Sequence, residues 1–282
     1  MRLGNDTLGL LIFVIALVVG ALQSDLGGTG SNPSAEPEKS LRRPPVYTPP
    51  AASGSLPDTS TGPTIDIKLG AKDNSTGTAF AISDGFWMTA RHVVDGCKKV
   101  GVLTGPKKGA KAKQIVVHPN ADLAIFQAPV RSFPVRFSED ALQIGQAGYH
   151  FGYPQGEPGD VRSRLMGRRT MRLHGRYRTR EPVLAWSEVQ RVPDRDAPLS
   201  GISGGPVFDG LGRLVGVHVA GSLRRGRSFT TAPESMVELF RRAGVSPKGR
   251  PVAAQISPTN FETIGDKLRQ HQVVMKAVCL VR

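Results

Sequence analysis

From about Thr64 the chain is a succession of short apolar runs at close spacing, separated by Gly, Pro, Asp and Asn. The runs "TAFAIS", "FWMTARHVV", "KQIVVH", "LAIFQA", "AGYHFGY", "PVLAWSEV", "PVF" and "LVGVHVAG" are each strand-sized. Parallel βαβ units would need amphipathic helical patterns between the strands, and these are missing. The pattern therefore specifies an all-β sandwich or barrel. Helix signals appear only late. In "APESMVELFRRAG", Pro233 suits a first helical position, Glu234 and Glu238 come early, Arg241 and Arg242 late, and Gly244 can stop the helix. A second helix is expected from about Asn260 to Gln270, followed by a strand in "VVMKAVCLV". No internal repeat is evident at a period of about 20–50 residues.

At 282 residues and 39% hydrophobic content the chain can build one sizeable domain or two small ones, but its apolar content is uneven. One Arg precedes an apolar run from Leu8 to Leu22, short for a membrane span of about 20 residues. Residues 1–22 are read as a signal peptide or an N-terminal membrane anchor, and "GALQS" is a poor cleavage site. Either reading exports the rest of the chain to a periplasmic or extracellular location, tethered to the inner membrane if the segment is retained. Residues 23–63 are rich in Gly, Ser, Pro and Thr and are expected to form a disordered linker. The folded domain is expected over 64–245, with 246–282 a C-terminal extension.

The segment "LSGISGGPVF" raises the question of chemistry. Ser203 lies between glycines and fits the G-x-S-x-G pattern of an α/β-hydrolase elbow, but an ordinary Gly/Ser turn fits as well. A serine nucleophile needs a base and an orienting acid. Of the six histidines, His92 in "TARHVV" follows an apolar strand at the edge of a polar turn. Asp122 in "HPNADLAIF" precedes an apolar strand, where its carboxylate can be partly buried. The chain order His, Asp, Ser differs from that of α/β-hydrolases, whose histidine comes last.

These three blocks, "GTAFAISDGFWMTARHVV", "HPNADLAIF" and "GISGGPVFDGLGRLVGVHVAG", resemble those of trypsin-like serine proteases. The nearer likeness is to the compact bacterial branch with HtrA/DegP protease domains and glutamyl endopeptidases, over roughly residues 75–243. The resemblance implies two six-stranded antiparallel β-barrels with the active site between them. It implies a serine endopeptidase acting on protein or peptide substrates through His92, Asp122 and Ser203, with the backbone N–H groups of Gly201 and Ser203 as oxyanion hole. Substrate-binding positions follow by matching: Val219, Ala220 and Gly221 form the edge that pairs with substrate, and His218 matches a histidine that contacts an acidic P1 side chain. Ala197 stands where trypsin-type enzymes place a pocket-base acid, which argues against Lys/Arg preference. Ile202 stands where those enzymes carry an aspartate that pairs with a new N-terminus, so activation of that kind is not expected. A catalytically silent protease-fold module binding peptides or the envelope is the competing reading.

The remaining signals are charge and cysteine. The formal charge is +14, and residues 161–182 hold eight arginines against one acid, Glu181. This stretch reads as a hairpin, with Gly167 or Gly175 as turn candidates. It is either a solvated face or a contact for an anionic envelope surface or acidic substrate. Tyr177 alone makes no stacking platform, so no nucleic acid is expected. Cys97 and Cys279 permit one disulfide in an exported chain, with two buried thiols as the alternative. Their spacing suits no metal site, and no cofactor is expected.

Overall fold

The computed structural model describes residues 54–60, 62–106, 108–222 and 226–282. The N-terminal apolar segment and most of the linker expected after it lie outside the described residues. Gly54–Ser60, the end of that linker, lies along the domain: the Leu56 amide donates to Leu142 O (2.9 Å), and its side chain packs beside Leu142, Leu165 and Trp186.

The described residues form fourteen strands in two sheets, more than the quoted apolar runs. The first sheet has the order β5-β4-β14-β2-β3-β7-β6. Its members are β2 (Ser75–Ser83), β3 (Phe86–Thr89), β4 (Lys99–Gly105), β5 (Lys108–Lys111), β6 (Lys113–Val117), β7 (Ala124–Gln127) and β14 (Val274–Leu280). The expected last strand, β14, therefore completes the interior of the first sheet, with β2 on one side and β4 on the other.

The second sheet comprises β1 (Ile65–Leu69), β8 (Ala147–Gly152), β9 (Gly159–Gly175), β10 (Thr179–Val192), β11 (Pro206–Phe208), β12 (Leu214–Ser222) and β13 (Arg227–Thr231). Strands β8 to β13 close on themselves, because β8 pairs with both β11 and β9. That closure is the six-stranded antiparallel barrel expected from the resemblance. Each sheet nonetheless has seven strands rather than six. In the second, β1 adds in parallel to the far half of β9, which at 17 residues outruns its partner β8. In the first, the extra strand comes from the C-terminal segment.

Strand periodicity assigns the cores. Along β2, Ala79 and Ala81 face one cluster with Trp87, Val102, Phe126 and Met275. The alternate residues Phe80 and Ile82 face a second cluster with Tyr149, Phe151, Leu214 and Val217 of the other sheet. A strand buried on both faces reads as a continuous apolar run rather than an alternation, which is why "TAFAI" looks as it does. The second cluster is capped by α2 (Pro233–Ala243) through Met236, Leu239 and Phe240, and by α3 (Phe261–Gln270) through Phe261 and Leu268. Both helices occupy the expected segments, and Gly244 ends α2 in the left-handed conformation at φ 64°.

Candidate active site

A single helical turn, α1 (Arg91–Val94), follows β3 and carries His92. Asp122 sits in the turn leading into β7, with its side chain 1% exposed. Because β3 and β7 are paired, Thr89 opposite Ala124, the two segments leave the sheet side by side. His92 Nδ1 lies 2.6 Å from Asp122 Oδ2, and the His92 amide donates to Asp122 Oδ1 (2.8 Å). Burial alone would raise the Asp122 pKa, but the charge and hydrogen bonds of His92 and the Tyr177 hydroxyl outweigh it. The net shift is downward, so Asp122 is an anion.

Ser203 occupies the turn before β11, in the second sheet. The first sheet pins that turn through one residue, Thr78 of β2. Its amide donates to Ser203 O (2.8 Å) and its hydroxyl to Gly201 O (2.8 Å), while the same hydroxyl accepts the Tyr153 amide (3.1 Å). Gly77 next to it permits close approach: a Cβ there would stand 2.6 Å from Val93 Cγ1 and 3.2 Å from Ser203 O. The Val93 side chain, next to His92, and the Ser203 turn thus both close on a residue without a side chain. Sequence reasoning missed Thr78, which sits in an unremarkable strand and acts only through cross-sheet contacts.

Gly201 has φ +100°, and a Cβ on it would stand 2.5 Å from Tyr153 O. The turn it belongs to closes with the Ile202 amide donating to Leu199 O (3.0 Å). The Gln155 amide donates to Ser200 O (2.6 Å). Since N–H and C=O oppose each other across a trans peptide, the Gly201 N–H points away from the Tyr153–Gly156 loop. Ile202 is fully buried.

Ser203 lines a pocket of about 150 Å³ with Glu188, Arg191, Pro198, Leu199, Ser200, His218, Gly221 and Ser222. Of the expected substrate-binding residues, His218 and Gly221 line it. Val219 and Ala220 pack into the first core instead, and Ala197 is not among the lining residues; its carbonyl accepts Arg191 Nη1 (2.7 Å). Sequence reasoning missed Glu188 and Arg191 on β10. They form an ion pair (2.5 Å), and Glu188 also accepts the Ser228 hydroxyl (2.7 Å). The carboxylate in this pocket wall therefore comes from β10, not from position 197.

Behind the pocket His218 Nδ1 meets His150 Nδ1 (3.2 Å), and His150 Nε2 meets Ser163 Oγ (2.7 Å). Burial, then the neighbouring His92 and Arg191, push the His218 pKa down to about 3. His150 is also pushed well down, by burial and then by His218. Both rings are neutral at neutral pH. With the Ser163 hydroxyl donating to Gly148 O (3.2 Å), it accepts from His150 Nε2–H, and His150 Nδ1 accepts from His218 Nδ1–H. His218 Nε2 is then a lone pair, 3.8 Å from where a Cβ on Gly221 would stand.

Cys97 and Cys279 form a disulfide, joining the segment after α1 to β14. No cluster able to hold a metal ion occurs among the described residues, and no described helix is long and apolar enough to cross a membrane.

Curated relatives include a probable periplasmic DegP-like serine endoprotease of Chlamydia muridarum, 29% identical over 153 residues, covering 53% of this chain and 29% of the relative. Another of the same description, from Brucella suis, is 31% identical over 149 residues, covering 51% and 27%. The chain thus matches less than a third of the length of these relatives. Among solved structures, the Rv3671c protease from M. tuberculosis in its active form superposes with TM-score 0.48 at 25% identity, covering 60% of this chain and 74% of that one. The trypsin-like peptidase domain model matches residues 77–217, half of the chain, and spans His92, Asp122 and Ser203 together: the chain belongs to the trypsin-like peptidase domain family.

Proposed function

We propose that the protein is a serine endopeptidase acting through an acyl-enzyme, with Ser203 as nucleophile, His92 as general base and acid, and Asp122 as the orienting anion. The observation that carries this reading is the 2.6 Å His92–Asp122 pair, set on the same sheet whose Thr78 holds the Ser203 turn. His92 takes the Ser203 proton and returns it to the leaving amine, while Asp122 fixes the tautomer and stabilises the imidazolium. The Gly201 and Ser203 amides form the oxyanion hole, a contribution of about 10²–10³ in turnover per donor. The substrate is a protein or peptide, its backbone pairing along Val219–Gly221 as an added strand.

The acidic P1 preference is the finer part of the proposal, supported by His218 and Arg191 in the pocket wall. Glu188 cancels the charge of Arg191, and a neutral His218 offers a lone pair. A neutral P1 side chain with a donor, such as Gln or Ser, is therefore the second reading at neutral pH. The exposed Arg178 and Arg180 on the β9–β10 hairpin support contact with an anionic envelope surface. The relatives' periplasmic description supports export, with the N-terminal segment as signal or membrane tether. The protease domain is taken as residues 64–245, with β14 of the C-terminal extension completing its first sheet. A serine-directed fluorophosphonate probe tests the central claim. The purified protein should be labelled and Ser203→Ala should not be; an unlabelled wild type, or equal labelling of both, leaves only the silent binding module.

A further inference from the structure

The arginine-rich hairpin does more than present charge. β9 and β10 belong to the second sheet, yet the residues at their tip lie against α1 and Asp122 of the first. We propose that Tyr177, at this tip, is a positioning residue for the His92–Asp122 pair. The proposal rests on the peptidase reading above for its consequence in turnover, though not for its geometry.

Among the described residues, three donors reach the Asp122 side chain. His92 supplies two, its amide to Oδ1 and its Nδ1 to Oδ2. The third is the Tyr177 hydroxyl, which donates to Oδ1 at 2.8 Å. Two donors from one residue leave the pair free to tilt together, because they tie the carboxylate only to the ring it is meant to orient. Tyr177 is the donor that ties the carboxylate to an independent element. The same hairpin also holds the Asp122 backbone, whose amide donates to Glu181 Oε1 (2.7 Å).

The tip is itself anchored to the turn that carries His92. Arg176 Nη1 donates to Asp95 O (2.8 Å) and to Asp95 Oδ2 (2.9 Å), immediately after α1. The Arg91 guanidinium lies 4.1 Å over the Tyr177 ring, holding its plane by a cation–π contact. Lys72 Nζ donates to His92 O (2.8 Å). The charged groups around the clamp are therefore Lys72, Arg91, Arg176 and Asp95, besides the pair itself; Glu181 beside them is buried, with its pKa raised well above the ordinary range. Burial, and then the Asp122 charge, hold the phenol well above its ordinary pKa, so it remains a donor throughout the working range.

The decisive variant is Tyr177→Phe, which keeps the ring beneath Arg91 and removes only the donor. NMR titration of the His92 imidazole, with its Nδ1–H resonance, is to be measured both in the otherwise native protein and in Ser203→Ala. Without the hydroxyl the Asp122 charge is less neutralised and acts more strongly on the imidazolium, so the His92 titration and its Nδ1–H resonance should both shift in both backgrounds. Steady-state turnover of a peptide substrate should show kcat down about tenfold with KM unchanged. An unchanged His92 titration and Nδ1–H resonance in the Ser203→Ala background overturns the proposal, as does a loss carried wholly by KM. If the native protein fails to react with the fluorophosphonate, the peptidase reading falls, and the titration still decides the role of Tyr177.

Discussion

At the scale of the residue, His218 shows how an environment changes the chemistry of a side chain. The sequence places an imidazole where a cation would be useful to an acidic P1 group, but burial keeps that imidazole neutral. Only its protonated form can donate to a carboxylate, and a bound carboxylate supplies the charge that makes protonation easier. For two peptides differing only in Glu or Gln at P1, the Glu/Gln ratio of kcat/KM should therefore climb as the pH is lowered from about 8 to about 5. A ratio that is flat, or that falls on acidification, removes His218 from P1 recognition. Glu181 is the companion case. Burial, and then Asp122, raise its pKa well above the ordinary range, so it supports the Asp122 amide as a neutral acid and leaves Asp122 the local anion.

At the scale of the element, the elements beyond the barrel core are held by specific polar ties as well as by apolar contact. Helix α3 packs Phe261 and Leu268 into the core between the sheets, and Arg269 beside them makes a two-point ion pair with Asp160 of β9 (2.6 and 2.9 Å). The side chains of Asp160 and Arg269 are 1% and 9% exposed, so removing one partner strands a buried charge. Arg269→Leu should lose about 3–5 kcal/mol in urea unfolding, and adding Asp160→Asn should restore part of it. A loss below about 1 kcal/mol would mean that the pair contributes only as an exposed one does. The same logic applies to the β9–β10 hairpin. Its alternating burial, with Leu165, Met171 and Leu173 inward, was legible as a hairpin. The turn follows Gly175 at φ +112°, while Gly167 lies in mid-strand opposite an irregularity in the pairing. That the tip reaches Asp122 was not legible, because a 17-residue strand overshoots the sheet it starts in.

At the scale of the whole molecule, the first sheet is assembled from both ends of the domain. Its strand β14 comes from the C-terminal segment, and the disulfide between Cys97 and Cys279 closes a separation of 182 residues. Replacing both cysteines by serine should cost about 2–5 kcal/mol, since a long closed loop restricts the unfolded chain most. Thermal unfolding with and without reductant checks this: the native protein should lose midpoint on reduction and the double variant should not move. An equal response of both proteins would place the stabilisation elsewhere.

The sequence by itself determined most of the strand positions, though not β1, β4, β5 or β13, together with both C-terminal helices, the barrel class and the family motifs around His92, Asp122 and Ser203. These are local: periodicity, caps and short motifs act over a few residues, and each leaves its mark where it acts. Only the tertiary structure decided that Thr78 pins the Ser203 turn, that Glu188 and Arg191 wall the pocket, that β14 enters the first sheet and that Tyr177 meets Asp122. Each of these joins residues 55 or more apart along the chain or on different sheets, or places two strand residues around a cavity no local pattern encodes. Such contacts depend on which faces meet after folding, and a hydroxyl or carboxylate on a strand carries no local sign of the partner it will find.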